Sequence, residues 1–128
     1  MNLGLAAWHR AMAAGCPDDL LRELIAEDAV FHSPVVHTPQ AGRAKVMLYL
    51  GAAGQVFANT GFAYVRELVD GPEVCLEFTA MIDGIQLNGI DLIRFDLEGR
   101  IVDFKVMVRP LKAINLLWQK MAKSLQNS

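Results

Sequence analysis

The chain has 128 residues, a common size for one domain and too short for two. Its hydrophobic content of 53% supplies a core, and its net charge of −2 argues against a nucleic-acid partner. The two cysteines form no CxxC pair, and no window approaches the roughly 20 apolar residues that a membrane-spanning helix needs. These features predict a single cytoplasmic domain over residues 1–128, with no membrane or nucleic-acid partner.

Two helices are predicted at the start of the chain, because apolar residues recur there at spacings of three and four. The sequence Gly-Cys-Pro-Asp at 15–18 separates them, and Pro17 suits a first helical turn. Residues 29–32 are predicted to form a short strand, 33–42 a loop with two prolines, and a third helix to begin at Arg43. The apolar positions of the first two helices are Leu5, Trp8, Met12, Leu20, Leu21, Leu24 and Ile25.

The second half of the chain is typical of strands. Segments 62–69, 74–82, 86–97 and 101–108 are rich in β-branched and aromatic residues, and short glycine-containing turns separate them, as in antiparallel hairpins. Pro110 ends the last strand, and an amphipathic helix is predicted over about 111–125. We predict that its stripe packs on the domain or across a dimer, because an isolated helix of this length is marginal in water. The stripe consists of Leu111, Ile114, Trp118, Met121 and Leu125.

Helices in the first half and a strand meander in the second predict the α+β class. We expect a strongly curved antiparallel sheet, wrapped by the N-terminal helices into a cone, with a C-terminal helix in addition. Such a sheet leaves an apolar pocket on its concave side, which predicts a small hydrophobic molecule as the partner. Aromatic residues that can line this pocket or form the core are Trp8, Tyr49, Phe57, Tyr64, Phe95 and Phe104.

Asp91 is the candidate catalytic acid. Alternate residues of a strand share a face, and Asp91 is the one charged residue on the more apolar face of 86–97, which also holds Leu87, Gly89, Ile93, Phe95 and Leu97. A carboxylate there is costly unless it is paired, protonated or beside a cavity. Two interpretations stay open: a proton donor or base with a pKa above about 4, or a structural aspartate paired to an arginine or a backbone amide.

Histidines offer a second candidate for acid–base chemistry. His32 lies next to the loop that borders the predicted pocket mouth, and imidazole can exchange protons near neutral pH. A structural, hydrogen-bonded histidine is the alternative, and it is the favoured one. The spacing of His32 and His37 matches no metal motif and His9 belongs to another helix, so we predict no metal site.

The order of elements and several motifs resemble the nuclear-transport-factor-2-like superfamily, within it the SnoaL-like and ketosteroid-isomerase-like proteins. The resemblance extends to Val108, and many members lack the C-terminal helix. The matching stretches are Ala14-Gly15, Glu-Asp-Ala-Val-Phe-His-Ser-Pro at 27–34, Gly42, Gly-Ile-Asp-Leu-Ile-Arg-Phe at 89–95 and Glu-Gly-Arg-Ile at 98–101.

The resemblance implies site residues one by one. The aspartic acid of the steroid isomerases is retained as Asp91, whereas their proton-shuttling aspartate corresponds to Ser33 and their first-helix tyrosine to Trp8. The superfamily also turns Phe31 and Ser33, rather than His32, towards the pocket. The chain is therefore not expected to be a true ketosteroid isomerase. Glu77 and Thr79 stand where the epoxide hydrolases of the superfamily carry Arg and Asp, which disfavours that activity too.

Three functions follow as hypotheses. The first is cofactor-free acid–base chemistry of the isomerase, cyclase or lyase type on a polyketide- or steroid-like compound, with Asp91 stabilising an enolate. The second is a non-catalytic carrier that uses the same pocket, and the third a protein-interaction module. We also predict a homodimer through the outer sheet face, on which Glu77 is the charged exception. The uncharged outward positions are Cys75, Thr79, Met81 and Met107.

Overall fold

A computed structural model describes residues 2–126. Within them the elements are α1 (Leu3–Ala13), α2 (Asp18–Leu24), β1 (Ile25–His32), β2 (Gln40–Ala41), α3 (Arg43–Phe57), β3 (Ala63–Asp70), β4 (Glu73–Ile82), β5 (Ile85–Phe95), β6 (Ile101–Arg109) and α4 (Leu111–Gln126). The Asn2 side chain accepts a hydrogen bond from the backbone N–H of Leu5 at 3.0 Å and so caps α1. Gly15, with a φ of 81°, then turns the chain out of α1 towards α2.

The six strands form one curved sheet in the order β2-β1-β6-β5-β4-β3. The four strands from β3 to β6 form the antiparallel meander that the turns predict. The first strand differs, because β1 pairs with β6 in parallel. Hairpin turns determine how consecutive strands pair, but the partner of β1 lies far along the chain and is determined by tertiary closure. The predicted α+β cone with its C-terminal helix is confirmed, with one parallel pair within the sheet.

Three local predictions were wrong. Ile25, expected in the second helix, begins β1 and is fully buried where it pairs with Ile101. The predicted loop contains the short strand β2, which pairs with β1. Leu97, expected on the buried face of β5, lies in the turn after Phe95 and is fully exposed, because the strand ends two residues earlier.

Within one subunit, the predicted packing of the α4 stripe is also wrong in its centre, and packing of that stripe across a dimer stays a prediction. The residues that α4 buries are Ala113, Leu117 and Met121, whereas Trp118 is 58% exposed and Leu111 is 72% exposed. Neighbouring helical residues point about 100° apart, so a stripe centred on residue 117 leaves residue 118 outside it. Met121 belongs to both the predicted and the observed stripe.

The helices cover the concave face of the sheet, where alternate strand residues point inward. In β5 these are Leu87, Gly89, Asp91, Ile93 and Phe95, all of them buried as predicted. Gly89 pairs with Phe78 of β4, and a Cβ atom at residue 89 would lie 2.6 Å from the Phe78 ring. The absence of a side chain there lets the Phe78 ring occupy the concave face two residues from Asp91.

Candidate functional site

A cavity of about 290 Å³ lies between the concave face of the sheet and helices α1, α3 and α4. A single buried water needs only about 10–15 Å³, so the space is suited to an organic molecule. Most of its wall is apolar. Its lining residues include the six aromatic side chains of Trp8, Phe31, Phe57, Phe62, Phe78 and Phe104, together with Met12, Cys16, Leu50, Asp91, Val106, Leu117 and Met121.

Asp91 is the one charged side chain buried among the described residues, with 6% exposure. Its β5 position lies between Leu76 of β4 and Val106 of β6, so aliphatic neighbours flank it on both sides. The Tyr64 hydroxyl donates a hydrogen bond of 2.6 Å to Oδ2 of Asp91. Nε1 of Trp8 in turn donates to the Tyr64 oxygen at 3.1 Å. One directional chain of hydrogen bonds therefore runs from α1 through β3 to the carboxyl group.

The second oxygen of Asp91 is left for the cavity. The described residues provide a hydrogen bond to Oδ2 but none to Oδ1. Among those same residues, no fully buried side-chain oxygen or nitrogen lacks a partner. Since Asp91 lines the cavity, Oδ1 must open onto it. A molecule in the cavity can therefore exchange a hydrogen bond with this oxygen.

The surroundings of Asp91 favour its neutral form. Burial raises the pKa of Asp91 to about 7, and the hydrogen bond from Tyr64 opposes this rise. The Tyr64 pKa is raised well above its ordinary value of 10, first by burial and then by the nearby Asp91 charge, so the phenol keeps its proton. Near neutral pH, Asp91 can thus either hold or release a proton, which is the property required of an acid–base group.

Cys16 contributes the other titratable side chain of the cavity wall. It has a φ of 54°, follows the Gly15 turn and donates its thiol hydrogen to Sδ of Met12 at 3.5 Å. Burial, and secondarily the charge of Asp91, raises the pKa of this thiol. The protonated form is therefore favoured, and a reactive thiolate is not.

Of the predicted pocket residues, Trp8, Phe31, Phe57, Phe104 and Asp91 line the cavity. Tyr64 lies just behind the wall and binds Asp91.

Three predicted residues lie elsewhere. Ser33 is in the loop after β1, where its Oγ accepts a hydrogen bond from the backbone N–H of Val35 at 3.2 Å. Tyr49 stacks on Phe31 outside the lining, with ring centroids 5.4 Å apart. Phe95 packs beneath α1 against Gly4, which has no side chain to displace the ring.

His32, the second catalytic candidate, also lies outside the cavity. Its Nε2 lies 2.8 Å from Oδ1 of Asp103 on the neighbouring strand β6. This partner gives His32 the hydrogen-bonded structural position that was the alternative interpretation. Within residues 2–126, no three His, Cys, Asp or Glu side chains are grouped so that they could hold a metal ion. No helix in that range is long and apolar enough to cross a membrane.

Several lining residues were not identified from the sequence. Phe78 shares the inward face of β4 with Val74 and Leu76, so alternation alone could have placed it there. Leu117 of α4 required the rotation of that helix to be known, whereas Met121 already belonged to its predicted stripe but was not assigned to the cavity. Cys16 occupies a turn, and no period indicates the direction of a turn side chain.

The sequence matches the SnoaL-like domain family over residues 5–104. The structure is similar to that of a steroid delta-isomerase from Pseudomonas aeruginosa, with 44% identity, a TM-score of 0.90, and coverage of 97% of this chain and 90% of that one. An uncharacterized cystatin-like-fold protein from Silicibacter pomeroyi DSS-3 has 33% identity and a TM-score of 0.86, with coverage of 96% and 85%. A protein of unknown function from Mesorhizobium loti, with the predicted nuclear-transport-factor-2-like fold, has 24% identity, a TM-score of 0.72, and coverage of 84% and 88%, and bears on the fold alone.

No protein of curated function matches the chain. The family match covers most of the sequence, and the chain belongs to the SnoaL-like domain family. The superfamily predicted from the motifs is thereby confirmed.

Proposed function

We propose that the protein binds a flat hydrophobic molecule of the steroid or polyketide type, and that Asp91 donates a hydrogen bond to a carbonyl oxygen of this ligand. The observation that carries the proposal is the free Oδ1 of a buried carboxyl group in a cavity of otherwise apolar side chains. Six aromatic rings in the wall suit a flat ligand. No cofactor is needed for this interaction.

The direction of the hydrogen bonds supports donation by Asp91. Tyr64 donates to Oδ2, so the proton of a neutral carboxyl group is expected on Oδ1, where it points into the cavity. A bound hydrophobic molecule excludes water and disfavours the carboxylate further. A ketone or enone oxygen would accept this proton in a hydrogen bond, which strengthens as negative charge develops on an enolate.

Isomerisation is the second candidate function, and the 44% identity with a steroid delta-isomerase favours it. The reaction also needs a base that takes a proton from carbon. Asp91 is the one carboxylate in the described cavity wall, and Ser33, which corresponds to the shuttling aspartate of the isomerases, lies outside that wall. The cavity and the free oxygen of Asp91 therefore support ligand binding, whereas turnover is supported only by the similarity to the steroid delta-isomerase.

Titration calorimetry with a conjugated steroid enone such as progesterone tests the proposal. Asp91→Asn keeps a hydrogen-bond donor and should bind within about threefold of the unsubstituted protein. Asp91→Leu should weaken binding by about tenfold or more, the usual effect of losing one buried hydrogen bond. His32→Ala is the control, because His32 lies outside the cavity. Equal binding by Asp91→Leu, or absence of binding by the unsubstituted protein, would contradict the proposal.

A separate assay distinguishes a carrier from an isomerase. A β,γ-unsaturated ketosteroid gains ultraviolet absorbance when its double bond moves into conjugation. Tight binding with no change in absorbance would identify a carrier, whereas turnover that Asp91→Leu abolishes would identify an isomerase.

We also propose that the protein forms a homodimer through the outer face of its sheet. Apolar side chains are exposed there, including Met81 at 47% and Met107 at 50%. Glu77, the charged residue on this face, is paired with Arg66 at 3.0 Å and accepts a hydrogen bond from Asn88 at 3.0 Å. Its charge is thus compensated within one subunit, which reduces the cost of covering it. A protein-interaction module remains the less favoured function. The cavity of such a module is expected to be filled by side chains, whereas the cavity of this protein is open.

A further inference from the structure

We propose that Leu117 and Met121 of α4 determine how long a ligand the cavity accepts. This inference rests on the proposed binding function. It adds that α4 determines the selectivity of the cavity among hydrophobic molecules that all carry a carbonyl group. The family match ends at residue 104, so α4 lies outside the part of the chain that the family model covers.

The two side chains form a wall of the cavity. They stand four residues apart on one face of α4 and are only 2% and 6% exposed, yet both border the cavity. They pack with Ala52 of α3 in a cluster separate from the one that contains Trp8 and Phe104. The cavity therefore extends from the Trp8 side, where the hydrogen bonds to Asp91 originate, to the α4 side.

The adjoining part of α3 is small except at Phe57. Ala53 and Gly54 of α3, and Ala58 directly after it, line the cavity but are too small to limit the space. Phe57 packs against the cluster that contains Leu117 and Met121, so the volume at this end depends on Phe57 and on these two side chains of α4. A ligand anchored by its carbonyl at Asp91 would meet Leu117 and Met121 with its far end.

Polar contacts at the surface link the C-terminal half of α4 to neighbouring elements, in addition to its buried side chains. Nζ of Lys120 lies 3.0 Å from Oδ2 of Asp83 in the turn between β4 and β5. The Ser124 hydroxyl donates to Oε1 of Gln55 in α3 at 2.7 Å. These contacts attach α4 to two different elements, so shortening Met121 is expected to leave a space rather than shift the helix.

The test uses 2-acetylnaphthalenes with alkyl chains of increasing length on the far ring. Their acetyl oxygen can reach Asp91, and their chains report the available length. Of the two tryptophans in the sequence, Trp8 lines the cavity and Trp118 is exposed. A Trp118→Phe background therefore leaves Trp8 emission as the binding signal. Leu111→Ala, an apolar change at a 72% exposed position of the same helix, is the matched control.

Met121→Ala should move the optimum to a chain about two methylenes longer and strengthen binding of that ligand by about tenfold. Met121→Phe should move the optimum to shorter chains, and Leu111→Ala should leave it unchanged. The opposite signs keep the test decisive even if one variant folds poorly. Binding of the series with the same optimum in every folded variant would overturn this inference alone. Failure of every ligand to bind the unsubstituted protein would overturn the binding function as well.

Discussion

The buried carboxyl group of Asp91 predicts an unusual dependence of stability on pH. Its pKa is about 7 in the folded protein and 3.8 in its ordinary, unfolded environment. Between these values the folded state binds a proton that the unfolded state has released, so the free energy of unfolding falls as the pH rises. The stabilisation is complete below about pH 4 and is lost by the time the pH has passed through 7.

The magnitude follows from the difference between the two pKa values. Each pKa unit corresponds to about 1.4 kcal/mol, so Asp91 should contribute about 4 kcal/mol over the whole range, and roughly 2–3 kcal/mol between pH 5 and pH 7. Comparison with a variant that lacks this carboxyl group isolates the contribution of Asp91, because the rest of the chain is the same in both proteins.

Urea unfolding followed by circular dichroism at several pH values measures this effect, with Asp91→Asn as the reference. The amide does not titrate, so the difference in unfolding free energy between the two proteins should change by roughly 2–3 kcal/mol from pH 5 to pH 7. NMR titration of the carboxyl carbon gives the pKa directly. A constant difference between the proteins, or a titration midpoint at or below about 4, would refute the reasoning.

Three further changes test other parts of the structure. Tyr64→Phe removes a hydrogen bond that favours the carboxylate, so the pKa of Asp91 should rise above its value in the unsubstituted protein. An unchanged NMR titration midpoint of Asp91 would contradict the contact. Leu117→Ala should lower the free energy of unfolding by about 2–5 kcal/mol, because Leu117 is buried. Trp118→Ala should lower it by about 0.5 kcal/mol or less, because Trp118 is exposed. Equal losses would contradict the observed packing of α4. Met107→Glu should convert the proposed dimer to a monomer in light scattering. A monomer mass for the unsubstituted protein at micromolar concentration would contradict the proposed dimer.

The sequence was most informative where geometry alone determines direction. Alternation along β5 correctly separated its buried residues from its half-buried and exposed ones and singled out Asp91, because the side-chain period of a strand is fixed. It failed at Leu97, where the strand had already ended. Strand termini depend on the following turn, and in that turn the Asp96 side chain accepts hydrogen bonds from the backbone N–H groups of Glu98 and Arg100, both at 2.9 Å.

Local sequence patterns could not predict the contacts that define the site. Tyr64 lies 27 residues before Asp91 and two strands away in the sheet, and β3 is irregular just after it. The assembled sheet brings the two groups within 2.6 Å. Helix α4 shows the same difficulty in another form. Trp118 is the larger apolar side chain, but the rotation of α4 on the domain places Leu117 inward instead.

Trp8 determines the direction of the hydrogen bonds that lead to Asp91. An indole N–H can donate a hydrogen bond but cannot accept one, so the 3.1 Å contact requires the Tyr64 oxygen to be the acceptor. The Tyr64 hydrogen then points to Oδ2 of Asp91, the acceptor within its reach. A tyrosine at residue 8, as the steroid isomerases have, could donate or accept and could also address the ligand itself. With tryptophan there, Asp91 becomes the sole donor that this hydrogen-bond chain presents to the cavity. In the proposed binding function this donor would address one carbonyl oxygen of the ligand, and catalysis would require that the ligand or its solvent provide the base.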